Sequence, residues 1–293
     1  MGCWYFCSLV TLFMNKHYLS AMGGDEYLLG ICQMIGTATF GGLKVYFWSR
    51  DTINLGDSPS KPNQSFYKDM LLVGIMRGLT VMCGLVSLSH VAVSFTETVK
   101  SSAPFFTVIF SRFMLGTYTS WQVNCSLIPV MLGLALCSAT ELSFDSIGFV
   151  AAVLNNVIDC VQNVFSKKLL QTLSPVQLQF YTSAAAAVLQ LPVLIYLMYP
   201  KLEGGATTHN TLYTWLYILV DCVFYHLQSV TAYYTMSLLT AVSQSVANTA
   251  KRALLIFLSI MWFGNPISPL SGMGMFIVFL GVCLYNHCRI NYT

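Results

Sequence analysis

The stretch Ala247-Asn248-Thr249-Ala250-Lys251-Arg252-Ala253-Leu254-Leu255-Ile256-Phe257-Leu258 decides the fold. It lies within an apolar run over residues 240–262, long enough to cross a lipid bilayer, and its two adjacent cations sit about ten residues from the nearer end. Two more basic residues, Arg77 and Lys100, fall inside similar runs. A cation at the bilayer centre costs roughly 3 kcal/mol on the lenient insertion scale. Four facing lipid would cost on the order of 10 kcal/mol, which rivals the whole stability of an ordinary domain. The cations are therefore expected to face a polar cavity in a helical bundle. A cavity built around cations suggests a path for an anion.

Composition agrees. The 293 residues are 56 % hydrophobic and 9 % charged, against about 25 % charged in a soluble domain. A soluble chain of this size could not hide so much apolar surface, so an all-α polytopic membrane protein is expected. The net charge of +3 is too small to suggest nucleic acid as a partner. No cleavable signal or transit peptide is evident. A first span that opens at Gly2 is compatible with a truncated isoform. The ten cysteines, among them Cys83, Cys137, Cys160 and Cys283, lack metal-binding spacing and read as small packing residues.

Ten spans are expected, at 2–20, 27–48, 70–90, 92–115, 121–139, 147–170, 175–199, 212–236, 240–262 and 269–287. Residues 49–69, with Gly56, Pro59 and Pro62, read as a solvated loop. An even number of spans puts both termini on one side. That side collects Lys44, Arg50, Lys61, Lys68, Arg112, Lys167, Lys168 and Arg289, whereas the other has Lys16 and Lys201. The imbalance predicts cytosolic termini. On that topology Asn63-Gln64-Ser65, a glycosylation pattern, faces the cytosol and stays unmodified.

Shifting the numbering by 148 aligns the halves of the chain. Leu132-Gly133 falls on Leu280-Gly281, Leu115-Gly116 falls on Phe263-Gly264, and Ala92-Val93-Ser94 lies one residue from Ala241-Val242-Ser243. Five spans per half give the halves opposite orientations. The expected organisation is an inverted 5+5 repeat, residues 1–146 and 147–293, which is a secondary-transporter architecture with its substrate near the midplane.

The candidate ligands follow. Asn248, Lys251 and Arg252 lie within about a turn of the ninth span, with Ser243 and Ser245 before them. Their depth strains a snorkelling explanation. A Lys–Arg pair offers a point charge beside a planar fork of donors, which suits phosphate or carboxylate oxygens. On the fourth span Thr96, Glu97 and Lys100 share a face. Glu97 and Lys100 can form an ion pair that opens to admit substrate. Under the 148 shift, Lys100 corresponds to Asn248. Arg77 shares a stripe with Val81 and Gly84 and reads equally as a ligand and as an access-gate or interface residue. Two polar stripes, Asn155–Asp159–Gln162–Ser166 and Asp221–Tyr225–Gln228, suit either a pore lining or helix–helix hydrogen bonding.

The run Ser94-Phe95-Thr96-Glu97-Thr98-Val99-Lys100, followed by Pro104-Phe105-Phe106, resembles the fourth-helix motif of the triose-phosphate and nucleotide-sugar transporters of the drug/metabolite transporter superfamily. Ser166-Lys167-Lys168, Tyr225-His226-Leu227 and Lys251-Arg252 with Phe263-Gly264-Asn265 match further along. The runs Asp159–Lys168 and Leu227–Tyr233 are similar to solute carrier family 35. The resemblance covers nearly the whole chain. It implies ten helices, an inverted repeat and exchange of organic phosphates or nucleotide sugars. In plastid-type members a fourth-helix Lys and a ninth-helix Lys–Arg pair hold the phosphate, which carries over to Lys100, Lys251 and Arg252. Other family positions have changed here, to Val81, Gly84, Gln228 and Glu97, so triose phosphate is not implied as the substrate. Glu97 would cancel part of the positive field.

The expected function is a secondary transporter, an antiporter for a phosphorylated small metabolite, in a Golgi or endoplasmic-reticulum membrane. An unneutralised cation cluster would resist reorientation when empty and so favour obligate exchange. The substrate-binding residues would be Lys100, Lys251, Arg252, Arg77, Glu97, Gln228 and Asn248, with no cofactor and no metal. The expected partners are a small anionic metabolite and the lipid bilayer, with a homo-oligomer left open. A nucleotide-sugar transporter is the near alternative. A non-transporting scaffold or sensor is the alternative from another class. An enzyme is not expected: the five His residues, 17, 90, 209, 226 and 287, are dispersed.

Overall fold

A computed structural model describes residues 2–52, 64–106, 108–109, 120–140, 144–170, 173–203, 211–239, 241–264 and 268–292. The described chain is helical: α1 Gly2–Ser20, α2 Glu26–Thr52, α3 Gln64–His90, α4 Val93–Ser101, α5 Trp121–Cys125, α6 Leu127–Thr140, α7 Ser146–Leu169, α8 Pro175–Glu203, α9 Thr211–Leu238, α10 Ala241–Phe263 and α11 Pro269–Tyr292. No strand occurs among the described residues. Both ends of the expected 49–69 loop prove helical, because α2 runs on to Thr52 and α3 starts at Gln64. The loop's centre, with Asn63, lies outside the described residues, as do Leu115, Gly116 and Asn265.

Four segments are apolar and long enough to cross a membrane by length and composition alone: Glu26–Tyr46, Lys68–His90, Trp121–Ala139 and Pro269–Asn291. The surface shows what surrounds the helices. Trp262 is 74 % exposed and Leu132 63 %, while Gln33, Asp221, Thr96 and Gln179 are fully buried. Apolar groups outside and polar groups inside suit a hydrocarbon solvent and would be untenable in water. The chain is an all-α polytopic membrane protein.

Two spans are interrupted, each by a proline. Helix α4 stops at Ser101, and helical turns resume at 103–106, where Pro104 lacks the N–H that a continuous helix needs. The interruption falls directly after Lys100. Its loose carbonyls are met locally and from α7. Ser102 Oγ donates to Val99 O at 2.7 Å, and Asn156 Nδ2 donates to Val99 O and to Ser102 Oγ, both at 3.1 Å. Cys160 Sγ approaches Ala103 O at 3.6 Å. Broken backbone persists at membrane depth only with such partners. Pro129 similarly separates α5 from α6, where Ser126 Oγ donates to Val123 O at 2.7 Å.

The helix starts repeat. Shifted by 148, Glu26, Gln64, Val93 and Trp121 fall at 174, 212, 241 and 269, beside the observed starts Pro175, Thr211, Ala241 and Pro269. Packing groups the residues differently from the sequence halves. Unit 1 comprises residues 1–82 and 162–237, and unit 2 comprises 83–161 and 238–293. In unit 1, α2 packs chiefly on α8. In unit 2, α4 packs on α10, and α6 packs on α11. Each of these pairs joins a helix to its counterpart under the shift.

Small residues allow the close approaches. A Cβ on Gly133 of α6 would stand 2.7 Å from Val278 N, and one on Gly281 of α11 would stand 2.8 Å from Val130 N. The shift converts the first contact into the second, as a two-fold relation between two helices requires. The core of unit 2 gathers Phe95 and Val99 of α4, Val130, Leu134 and Cys137 of α6, Ala152 of α7, and Met275, Val278 and Val282 of α11. Unit 1 buries Met34, Ala186 and Ala187, with Val81 and Tyr225 packed against them.

Candidate substrate-binding site

Helix α4 places Glu97 and Lys100 one turn apart, and Lys100 Nζ donates to Glu97 Oε1 at 3.2 Å. The carboxylate is buried, while the Lys100 side chain keeps 21 % of its exposure. Because α4 packs on α10, the same carboxylate also feels Arg252 and Lys251. Lys251 in turn is coupled to Glu97, to both other cations and to Asp159 of α7. Unit 2 thus assembles three cations around one buried carboxylate, with a second at the edge.

Arg252 is half-buried, and its Nη1 is enclosed with no hydrogen-bond partner among the described residues. A buried donor left unmade costs about 1–3 kcal/mol, so this nitrogen is poised for an acceptor. Asn248 lies half-buried one turn earlier on the same face, at the repeat position of Lys100. Ser243 and Ser245 sit in the first turns of α10, with side chains outside the described set. Nearby, Thr96 Oγ1 and Ser87 Oγ lie 3.1 Å apart.

Arg77 belongs to unit 1 and is built into a different arrangement. It is buried. Its Nη1 donates to Tyr233 Oη at 3.1 Å and its Nη2 to Ser229 Oγ at 2.9 Å. The guanidinium also lies 5.9 Å from the Tyr225 ring centre and 5.7 Å from that of Tyr233. Residues 225, 229 and 233 form one stripe of α9, which is why a single arginine meets all three. Gln228, on the adjacent face of α9, is half-buried, and its Oε1 has no hydrogen-bond partner among the described residues.

The changed family positions have structural neighbours. Val81 packs in the unit 1 core. A Cβ on Gly84 would stand 2.6 Å from Asn155 Nδ2, so the buried Asn155 amide fills the space beside that glycine. The polar stripe of α7 divides its roles: Asp159 is coupled to Lys251, and Gln162 accepts from Thr80 Oγ1 at 3.2 Å. Sequence reasoning missed Asn156, one residue off that stripe, which braces the α4 break. It also missed Asn15 and Gln33, which meet Asp221. Their polar character within apolar runs was the available signal. Among the described residues no cluster of three or more His, Cys, Asp and Glu could hold a metal ion.

The profile of the Triose-phosphate Transporter family matches residues 1–286. The chloroplastic glucose-6-phosphate/phosphate translocator 1 of Arabidopsis thaliana is 33 % identical over 78 % of this chain and 61 % of its own length. The chloroplastic xylulose 5-phosphate/phosphate translocator of the same plant is 31 % identical over 97 % of this chain and 68 % of its own. The chloroplastic phosphoenolpyruvate/phosphate translocator 3 of Oryza sativa subsp. japonica is 37 % identical over 75 % and 57 %. The chain thus spans roughly three fifths of the length of several relatives that it matches. A solved crystal structure shares the fold, with a TM-score of 0.56 at 15 % identity, covering 96 % of this chain and 97 % of that one.

Proposed function

Because the chain belongs to the triose-phosphate transporter family, we propose that it is a secondary antiporter exchanging a phosphorylated small metabolite, by alternating access, across an endomembrane. The observation that carries this reading is that α10, with Lys251 and Arg252, packs on α4, where Lys100 pairs with the buried Glu97 carboxylate. Against three cations stand Glu97 and Asp159, so the empty site keeps a net positive charge. A phosphate monoester, with about 1.5–2 negative charges at neutral pH, would more than offset that charge. The named relatives move sugar phosphates or phosphoenolpyruvate against phosphate, so the phosphoryl group is their common feature.

In this reading Lys100, Lys251 and Arg252 grip the phosphoryl oxygens, and Arg252 Nη1 finds its missing acceptor there. Glu97 acts as a resident counter-ion that the substrate displaces from Lys100. Asn248 supplies an amide one turn away. Arg77 and Gln228, on α3 and α9, remain proposed substrate ligands, with an access-gate role open to Arg77. The two repeats are residues 1–146 and 147–293, supported by the recurring helix starts. The Lys and Arg imbalance supports cytosolic termini. The resemblance to solute carrier family 35, narrowest for subfamily E, member 2, supports a Golgi or endoplasmic-reticulum membrane.

The test is a thermal-shift screen of purified protein against inorganic phosphate, triose phosphates, phosphoenolpyruvate, hexose phosphates and nucleotide sugars. A ligand at a hundredfold excess over Kd stabilises by about 2.7 kcal/mol. The expected result is a shift with a phosphate monoester that Lys251→Ala abolishes. No shift with any of these compounds would overturn the reading.

A further inference from the structure

A buried polar knot occupies unit 1, on side chains that the cation cluster does not use. Asp221 of α9 and Gln33 of α2 are fully buried, and Asn15 of α1 is 7 % exposed. Gln33 Nε2 donates to Asp221 Oδ2 at 2.7 Å and to Asn15 Oδ1 at 2.9 Å. In that arrangement Gln33 Oε1 is buried with no hydrogen-bond partner among the described residues. Turning the Asn15 amide over places its nitrogen 3.1 Å from Asp221 Oδ1 and 2.9 Å from the Gln33 Nε2 position, which becomes an acceptor only when the Gln33 amide turns over as well.

Two states satisfy this geometry. With Asp221 ionised, the Gln33 nitrogen donates to Asp221 Oδ2 and to Asn15 Oδ1. With Asp221 protonated on Oδ2, its O–H donates to the Gln33 amide oxygen, now turned inward. The Asn15 nitrogen then donates to that same oxygen and to Asp221 Oδ1. The 2.7 Å separation is the ordinary O–H···O distance. An amide can present either end, so the knot serves both states without moving a helix.

The titratable groups coupled to Asp221 are Cys32 from α2 and Tyr217, Cys222 and Tyr225 from α9, none of them cationic. Helix α1 contributes Asn15, with the half-buried Lys16 next in sequence and His17 against the Tyr217 ring at 5.8 Å. Helix α3 contributes Arg77, whose Nη1 and Nη2 donate to Tyr233 and Ser229. Asp221 is therefore met directly by neutral amides. An ionised carboxylate so placed is expensive in a low-dielectric interior, and a proton removes that cost.

We infer that Asp221, with Gln33 and Asn15, is a reversible proton-binding site, and that the protein moves protons together with its anionic cargo. A proton from water attaches to Oδ2 and the amides turn over; its release restores the carboxylate. The site stands on unit 1 alone, whereas the coupling to cargo rests on the antiporter reading above.

Infrared titration of purified protein without substrate tests the site itself. The expected result is a carbonyl stretch of a protonated carboxylic acid that titrates in the wild type and is lost in Asp221→Asn. Asp221→Glu should keep a titrating band, shifted in midpoint, which separates proton binding from a fold defect. An identical titration in wild type and Asp221→Asn overturns the inference, as does stabilisation of the wild type by sodium at fixed pH that Asp221→Asn abolishes. Homo-exchange of labelled inorganic phosphate in proteoliposomes tests the coupling. Asp221→Asn should still exchange but lose the pH dependence beyond that of phosphate itself, and an unchanged pH profile overturns the coupling. If the wild type fails to exchange phosphate, the antiporter reading falls while the infrared result stands by itself.

Discussion

Glu97 accepts a hydrogen bond from Lys100 Nζ at 3.2 Å within one turn of α4, just before that helix breaks. The carboxylate serves more than its neighbour, since Lys251 and Arg252 of α10 act on it as well. It is the hub of the cation cluster, and its removal should have a signature opposite to that of removing a cation.

Glu97→Gln should destabilise the protein without ligand by about 3 kcal/mol, because three cations lose their shared partner. Inorganic phosphate should restore most of the loss and bind more tightly than to the wild type. Melting temperatures with and without phosphate check this. A variant as stable as the wild type in the absence of anion would show that the carboxylate is not the counter-ion.

Lys251→Ala and Arg252→Ala should each weaken phosphate binding by about 2 kcal/mol, or roughly thirtyfold in Kd. Arg252→Lys should recover only part of this, since an ammonium cannot reproduce the planar fork. Calorimetric titration with inorganic phosphate measures both.

Gly133→Ala and Gly281→Ala should each cost about 1–3 kcal/mol, because the added methyl meets backbone at 2.7 Å and 2.8 Å. Gly2→Ala, with nothing within 4 Å of its added Cβ, should be neutral. Thermal melts of the three variants decide whether backbone contact between α6 and α11 sets their spacing.

Asp145, between the membrane helices, is held below the ordinary carboxylate range by the Ile147 N–H at 2.8 Å and by His90 Nδ1 at 2.6 Å. Its native form binds protons less readily than its unfolded form. The stabilisation is present above the unfolded value, near 3.8, and is lost as pH falls through the lower folded value. Asp145→Asn should lower the melting temperature near neutrality, leave it nearly unchanged at the acid end, and so flatten the acid limb between them. An unaltered acid limb would assign the loss to other groups.

Much of this was legible in the chain. Apolar length placed most of the helices, although α3 begins at Gln64 and not at 70, and α4 is interrupted after Ser101. The spacing of Glu97 and Lys100 anticipated their contact, because a helix puts third neighbours on one face. Arg77 was ambiguous, because its partners Ser229 and Tyr233 lie more than 150 residues away, and only packing brings them near. The α4 interruption was signalled by Pro104, but its repair by Asn156 was not.

The sequence alone determined that the chain is a set of long apolar helices and which ionisable residues lie on them, because those are local questions of apolar length and composition. The tertiary structure decided which buried charges share a partner. Lys251 reaches Glu97, and Asp221 reaches Gln33 across 188 residues, through helix pairings that no local period encodes. In a medium without water a buried polar group must find a partner, and where that partner lies on another helix only packing can supply it.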